Sequence, residues 1–289
     1  MRIINLKYPK NYDLVLFSDA HYGNKMFHEK GFQSCLEFIR YGKRHAINLG
    51  DLIEGVRSDD YRFDETIHSL TPAKEMENMG EFLTPVSKLL DVVLMGNHEY
   101  ASHKYGNLTQ ILCKDLSTPQ HTVEYGTYSC VVQIYDDEGL QFKMYLHHGF
   151  GSVRSQAKDY QQAQGNVKAN LRLKLKDFFD DVLIAAMGHT HRLIVVPPTD
   201  EQLYLYATKD GKIKQGYMNL GTNANYIDPD RRYYINTGSF LKLFDEKPDA
   251  FGNYAVGYAE MKGYKPIDLG FINIEVRNRR IKNVQKIKV

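Results

Sequence analysis

Aspartate, asparagine and histidine recur in this chain in short clusters, each directly after a short apolar run. Leu14–Phe17 runs into Ser18-Asp19-Ala20-His21, Ala46–Leu49 into Gly50-Asp51, and Val92–Met95 into Gly96-Asn97-His98-Glu99. Further on, Met144–Leu146 runs into His147-His148-Gly149, and Val182–Met187 into Gly188-His189-Thr190-His191. Six of the 11 histidines sit in these clusters. Carboxylate oxygen and imidazole nitrogen, with no thiolate among them, suit borderline divalent ions such as Mn, Fe or Zn. A single Asp-x-His or His-x-His is as readily a surface turn or a satisfied core histidine. Clusters that each follow a strand-like run, one after another along the chain, point instead to one shared site. His147 and His148 face opposite sides if their strand continues, so only one of them can reach it.

A sheet is the element that could gather such clusters. Apolar runs of this length, rich in Val, Ile and Leu, suit strands buried on both faces. Between the first three runs the spacing turns helical. Phe32, Cys35, Leu36 and Ile39 mark one buried helix face. Thr71-Pro72 reads as an N-cap followed by proline at the first helical position, and Met76, Met79, Leu83, Val86 and Leu90 continue the period. Pro85 within that stretch predicts a kink or a break. Strand, helix, strand, helix, strand up to residue 99 implies a parallel βαβ core with right-handed crossovers, and ligands of such sheets collect beyond the carboxyl ends of the strands.

Residues 122–148 change character. Val123–Ile134 and Gln141–His148 read as strands joined by a turn at Asp136–Gly139. A helix is expected near 167–180. Strands are expected at Leu193–Val196, Leu203–Ala207, Tyr233–Asn236, Tyr254–Glu260 and Phe271–Val276, with turns at Lys209–Lys212 and Arg277–Arg280. No repeat and no linker divides the chain. The expectation is a single α/β domain over 1–289 with two sheets, its motifs within 13–191 and a mostly β part over 192–289.

The clusters resemble those of the calcineurin-like metallophosphoesterases: DxH at Asp19-Ala20-His21, GDxx at Gly50–Ile53, GNH[D/E] at Gly96–Glu99, then His148-Gly149 and the GHxH of Gly188–His191. Asn236-Thr237-Gly238-Ser239 extends the likeness. The resemblance implies a two-sheet α/β sandwich with two divalent metal ions at the strand ends. It assigns Asp19, His21, Asp51 and His191 to one ion and Asp51, Asn97, His148 and His189 to the other, with Asp51 bridging. It implies a metal-bridging hydroxide attacking phosphorus, and His98 as an acid or electrostatic stabiliser of the phosphoryl or departing oxygen. The His-Gly order of the family favours His148 over His147 as the ligand, which leaves His147 to a core or supporting role. Glu99 is expected to support the site, and Glu54 is set aside as no ligand of the family. Members of this fold that act as binding scaffolds have degenerate ligands, whereas every expected ligand is intact here.

For the substrate, the sequence lacks the arginines that protein serine/threonine phosphatases carry near the second motif and before GNHE. The remaining likeness is to bacterial and phage phosphodiesterases and nucleases, with Mn the ion expected for activity. A phosphodiester, as nucleotide or single-stranded nucleic acid, is therefore expected, and a phosphomonoester is the alternative. Arg57, Tyr61, Arg62, Phe63 and His68, then His103, Lys104 and Tyr105, lie in loops that could border the metals, and Arg154 could reach a phosphate oxygen or be simply solvated. Lys168, Arg172, Lys174, Lys176 and the tail Arg277–Lys288 offer basic surface, either solvated or facing nucleic acid.

Bulk composition constrains less. Thirty-seven basic and 35 acidic residues leave a net charge of +2 in a chain of 289, too balanced to signal tight duplex binding. Cys35, Cys113 and Cys130 form no CxxC pair and are expected as buried thiols in a reducing compartment. With no apolar run of membrane-spanning length and no visible signal peptide, a cytoplasmic protein without membrane partners is expected, and a homo-oligomer stays open.

Overall fold

A computed structural model describes residues 1–61, 63–65, 67–68, 70–102, 106–199, 203–217, 224–248, 251–261 and 263–289. Its centre is a pair of six-stranded mixed sheets packed face to face. One sheet takes the order β14-β13-β2-β3-β4-β5, from β2 (Tyr12–Phe17), β3 (His45–Asn48), β4 (Leu90–Val93), β5 (Glu124–Tyr125), β13 (Gly270–Arg277) and β14 (Arg280–Lys288). The other takes the order β1-β6-β7-β8-β12-β9, from β1 (Arg2–Lys7), β6 (Ser129–Asp136), β7 (Gly139–His147), β8 (Ile184–Met187), β9 (Leu193–Val196) and β12 (Tyr233–Thr237). A separate two-stranded ribbon pairs β10 (Leu203–Ala207) with β11 (Ile213–Tyr217).

Alternation along the strands sorts side chains into three apolar layers. Leu14, Leu16, Ile47 and Val92 of the first sheet meet Cys130, Val132, Met144, Leu146 and Ile184 of the second, filling the space between sheets. On the outer face of the first sheet, Val15, Phe17, Ala46 and Val93 pack against α1 (Glu29–Gly42), α2 (Pro72–Leu83) and α4 (Leu108–Leu116). Val131, Tyr145 and Met187 on the outer face of the second sheet cover Leu171 and Leu175 of α5 (Tyr160–Leu175). The result is a helix–sheet–sheet–helix sandwich, the two-sheet α/β architecture expected. β2, β3 and β4 run parallel, as do β7, β8 and β12, so both sheets present carboxyl ends to a common edge.

Local signals explain the helices. Thr71 caps α2 by accepting from Lys74 N, Pro72 opens it, and the helix ends at Leu83 before a 3-10 turn over Thr84–Val86 that contains Pro85. The expected break is therefore there. Other expectations need correction. The helix placed near 167–180 spans Tyr160–Leu175, because Asp159 caps its start by accepting from Gln162 N at 2.7 Å. Val123–Ile134 is not one strand: β5 joins the first sheet and β6 the second, with the chain crossing between them at 126–128. Tyr254–Glu260 forms no strand, since Tyr258–Met261 is a helical turn and Tyr254 and Val256 are exposed. β1, β14 and α4 carried no clear sequence signal.

Candidate metal centre

Each expected ligand follows the carboxyl end of a strand. Asp19 and His21 follow β2, Asp51 follows β3, and Asn97 and His98 open the short helix α3 (Asn97–Ala101) after β4. His148 follows β7, and His189 and His191 follow β8. The backbone bends sharply to turn these side chains inward. Of the non-glycine residues with positive φ, Asp19, His21, Asp51, His189 and His191 are five, at 52° to 66°. The left-handed region costs an L-residue roughly 1–2 kcal/mol, and such outliers collect at functional sites. Two glycines make room: a Cβ on Gly96 would lie 2.0 Å from Asp51 Oδ1, and one on Gly50, at φ +93°, would lie 2.7 Å from Gly96 N.

The side chains converge in two groups that share Asp51. In one, His191 Nε2 lies 3.3 Å from Asp19 Oδ1 and 3.0 Å from His21 Nε2. In the other, His148 Nε2 lies 3.2 Å from Asp51 Oδ2 and 2.9 Å from Asn97 Oδ1, which also meets His189 Nδ1 at 2.7 Å. Asp51 Oδ2 reaches toward the first group as well, 3.8 Å from His21 Nε2. Asp19–His21–His191 and Asp51–His148–His189 each gather their donor atoms within 4.8 Å, and His21–Asp51–His98 forms a third such set. Asp19, His21, Asp51 and His148 are buried.

Electrostatics favour a cation here. The ion partners of Asp19 and Asp51 among the described residues are imidazoles, with no lysine or arginine. Burial works against their charge, but His191 beside Asp19 and His148 beside Asp51 hold both carboxyls below the ordinary range. Conversely, burial opposes the charge of His148 while Asp51 lifts it to about 9. His98 is raised to about 8 in the same way, by Asp51 and Glu54 against burial. Buried carboxylates whose ion partners are imidazoles, with nitrogen and oxygen donors and no sulfur, fit borderline divalent ions.

His147 turns away. It sits on the α5 side of β7 with Tyr145, and its Nδ1 accepts from Gly149 N at 2.7 Å, while burial and the neighbouring His148 and His189 hold it down at about 4. Of the adjacent pair, His148 is the one in the cluster.

Supporting groups were only partly legible. Glu99 accepts from the backbone N–H of Asp51, Leu52, Ile53 and Gly96 at 2.6 to 3.2 Å, so it shapes the Asp51 turn. Glu54, set aside on sequence, is buried in the site: Oε2 lies 3.0 Å from His21 Nδ1 and 4.0 Å from His98 Nδ1, and its carbonyl accepts from His98 Nδ1. His68, placed on sequence in a substrate loop, stands behind it, 3.7 Å from Oε1. Glu75 on α2 accepts from Gly55 N at 2.7 Å, twenty residues away, and no spacing could have announced it. The 236–239 segment braces Asp19: Ser239 Oγ donates to Asp19 O at 2.9 Å, and Thr237 Oγ1 meets Ser18 Oγ, which bonds Asp19 Oδ2.

Arg154 is not part of the cluster. It is exposed, with its guanidinium 4.6 Å over the Tyr264 ring. Arg57 pairs with Asp59, Tyr61 is exposed and Phe63 stacks on His68. Arg62, His103, Lys104 and Tyr105 lie outside the described residues.

No protein-family model matches the chain, and no curated protein matches it. Among solved structures the chain is similar over nearly its whole length to YfcE, a phosphoesterase from E. coli, at 14% identity and a TM-score of 0.40, covering 96% of this chain and 100% of that one. It is also similar to a conserved protein of Streptococcus pneumoniae TIGR4 described as a predicted phosphoesterase, at 9% identity and a TM-score of 0.30, covering 98% and 100%. The architecture assigned above rests on sheet order and layering. Among the described residues, no helix is long and apolar enough to cross a membrane.

Proposed function

We propose that the chain is a metal-dependent phosphoesterase of the calcineurin-like class, acting on a phosphodiester in a nucleotide or single-stranded nucleic acid. The observation that carries this reading is Asp51, a buried carboxylate placed between two histidine-bearing groups. Asp19, His21, Asp51 and His191 would hold one divalent ion, and Asp51, Asn97, His148 and His189 a second. Bound ions, Mn foremost, supply Lewis acidity that activates water and neutralises phosphoryl charge.

The chain's own groups divide the remaining work. His98 N donates to Asp51 Oδ1 at 3.0 Å and so fixes the carboxylate that both ions would share. Its ring donates from Nδ1 to the Glu54 carbonyl, so Nε2 is the second donor when the ring is protonated. Asp51 and Glu54 favour the protonated ring against burial, and His98 would offer its Nε2 proton to a phosphoryl or departing oxygen. Glu54 orients His21 from behind by accepting from Nδ1.

The test is a Mn-supplemented screen of bis-p-nitrophenyl phosphate, p-nitrophenyl phosphate, cyclic nucleotides, labelled single- and double-stranded DNA and a phosphopeptide. Diesters are expected to be turned over best. Monoester or phosphopeptide kcat/KM tenfold or more above every diester would overturn the diester assignment, and no turnover of any ester would overturn the phosphoesterase.

A further inference from the structure

Past His148 the chain stays close to the site. Residues 149–154 lie along α5, tied to it by Lys174 Nζ donating to Phe150 O at 3.3 Å and by Asn170 Nδ2 donating to Arg154 O at 2.7 Å. Two cations stand over aromatic rings there: Lys174 Nζ lies 4.6 Å from the centre of Phe150, and Arg154 lies 4.6 Å from that of Tyr264. Phe150 and Phe178 have rings 6.0 Å apart and are 37% and 45% exposed, high values for phenylalanines beside a polar site. The row continues inward through His147, 5.4 Å from Phe150, and Tyr128, 5.3 Å from both His147 and His148. It is therefore unbroken from an expected metal ligand to solvent.

Charge sets this row apart from its surroundings. On the same helix Arg172 pairs with Asp230, and just beyond it Lys176 lies 3.9 Å from Asp177. The contacts of Lys174 and Arg154 among the described residues are with aromatic rings, a phenol and a carbonyl, with no carboxylate. Exposed rings beside uncompensated cations suit a ligand with flat bases and a polyanionic backbone, since base stacking is tolerant of sequence and the cations take phosphates.

We infer that Phe150 and Phe178, with Lys174 and Arg154, form a subsite that stacks a base of single-stranded nucleic acid and pairs its flanking phosphates, next to the scissile position. This rests on the diesterase reading above. It gives Arg154 the phosphate role considered on sequence, outside the metal cluster.

Binding tests it by fluorescence anisotropy of the metal-loaded protein, with a labelled phosphorothioate oligothymidylate and an abasic phosphorothioate strand of equal length. The parent should bind the base-bearing strand about fivefold or more tighter, and Phe150→Ala should reduce that preference below about twofold, with Phe178→Ala as the second variant. Lys174→Gln and Arg154→Gln should each make the slope of log Kd against log salt shallower by about 0.7. Melting temperature and metal content confirm folding of each variant. A parent with no base preference, a preference that survives both phenylalanine variants, or unchanged salt slopes would overturn the subsite. Turnover of bis-p-nitrophenyl phosphate by the same preparations separates the two readings: turnover without base preference overturns the subsite alone, and loss of all ester turnover overturns the phosphoesterase.

Discussion

His98 illustrates how single residues divide the labour. It contacts Asp51 through its backbone and Glu54 through its ring, so its side chain can be removed with the strand-end turns left in place. His98→Ala should lower kcat by about 100-fold or more, comparable to losing an oxyanion donor, with metal content and melting temperature nearly unchanged. Loss of metal alongside activity would make His98 a ligand instead. The adjacent pair gives the converse contrast. His148→Ala should lose metal and activity together, whereas His147→Ala should lower the melting temperature and leave the bound metal; the reverse result would shift the register by one. Glu75 adds a pH signature. It is fully buried, its Oε1 has no hydrogen-bond partner among the described residues, and burial pushes its carboxyl up to about 8. Between the ordinary glutamate range and about 8 the folded chain keeps a proton that the unfolded chain has released. This contribution to stability is complete at low pH and is lost as pH rises through that window. Glu75→Gln should therefore flatten the stability profile between about pH 5 and 8 relative to the parent and raise the melting temperature at pH 8. An unchanged slope would show that Glu75 is ionised in the folded protein.

Elements differ in how openly the sequence declares them. β2, β3, β4 and β8 are buried on both faces, so each reads as a continuous apolar run, and the polar cluster after it is conspicuous. That is why the ligands that follow these four strands could be placed at strand ends. β1 and β14 are edge strands with mostly exposed or half-buried side chains, and the lysines and arginines that made 280–288 look like a solvated tail suit an unpaired edge. α5 buries Leu171 and Leu175 and little else, so its period is faint and its boundaries were misplaced. Glu54 and Glu75 were missed for a different reason: their meaning depends on what lies opposite them in space, which spacing along the chain does not encode. Arg232 is a further case. Its buried guanidinium donates to the carbonyls of Lys176, Phe179, Asp180 and Ile227, so it ties the end of α5 to the start of β12. Arg232→Met would leave several buried carbonyls without a donor. The expected cost is at least about 3 kcal/mol, read as a lower denaturation midpoint; a loss below about 1 kcal/mol would show that water satisfies these carbonyls.

For the whole molecule, the consequence of stacking two sheets is that neither owns the site. The first sheet brings Asp19, His21, Asp51, Asn97 and His98; the second brings His148, His189 and His191, and 236–239 at the end of β12 locks Asp19 from the far side. A chain with a net charge of only +2 thus concentrates buried carboxylates at one edge, offset by imidazoles alone among the described residues. A divalent cation bound there would tie the sheets together, so metal removal should lower the melting temperature as well as abolish activity. The most direct measurement is the metal content of protein purified from Mn-supplemented cells without chelator, by elemental analysis and native mass spectrometry, for the parent, Asp51→Ala and His21→Ala. The account predicts about two divalent ions per chain in the parent, with a larger loss for Asp51→Ala than for His21→Ala, because Asp51 faces both positions. A folded parent that takes up no divalent metal would contradict it.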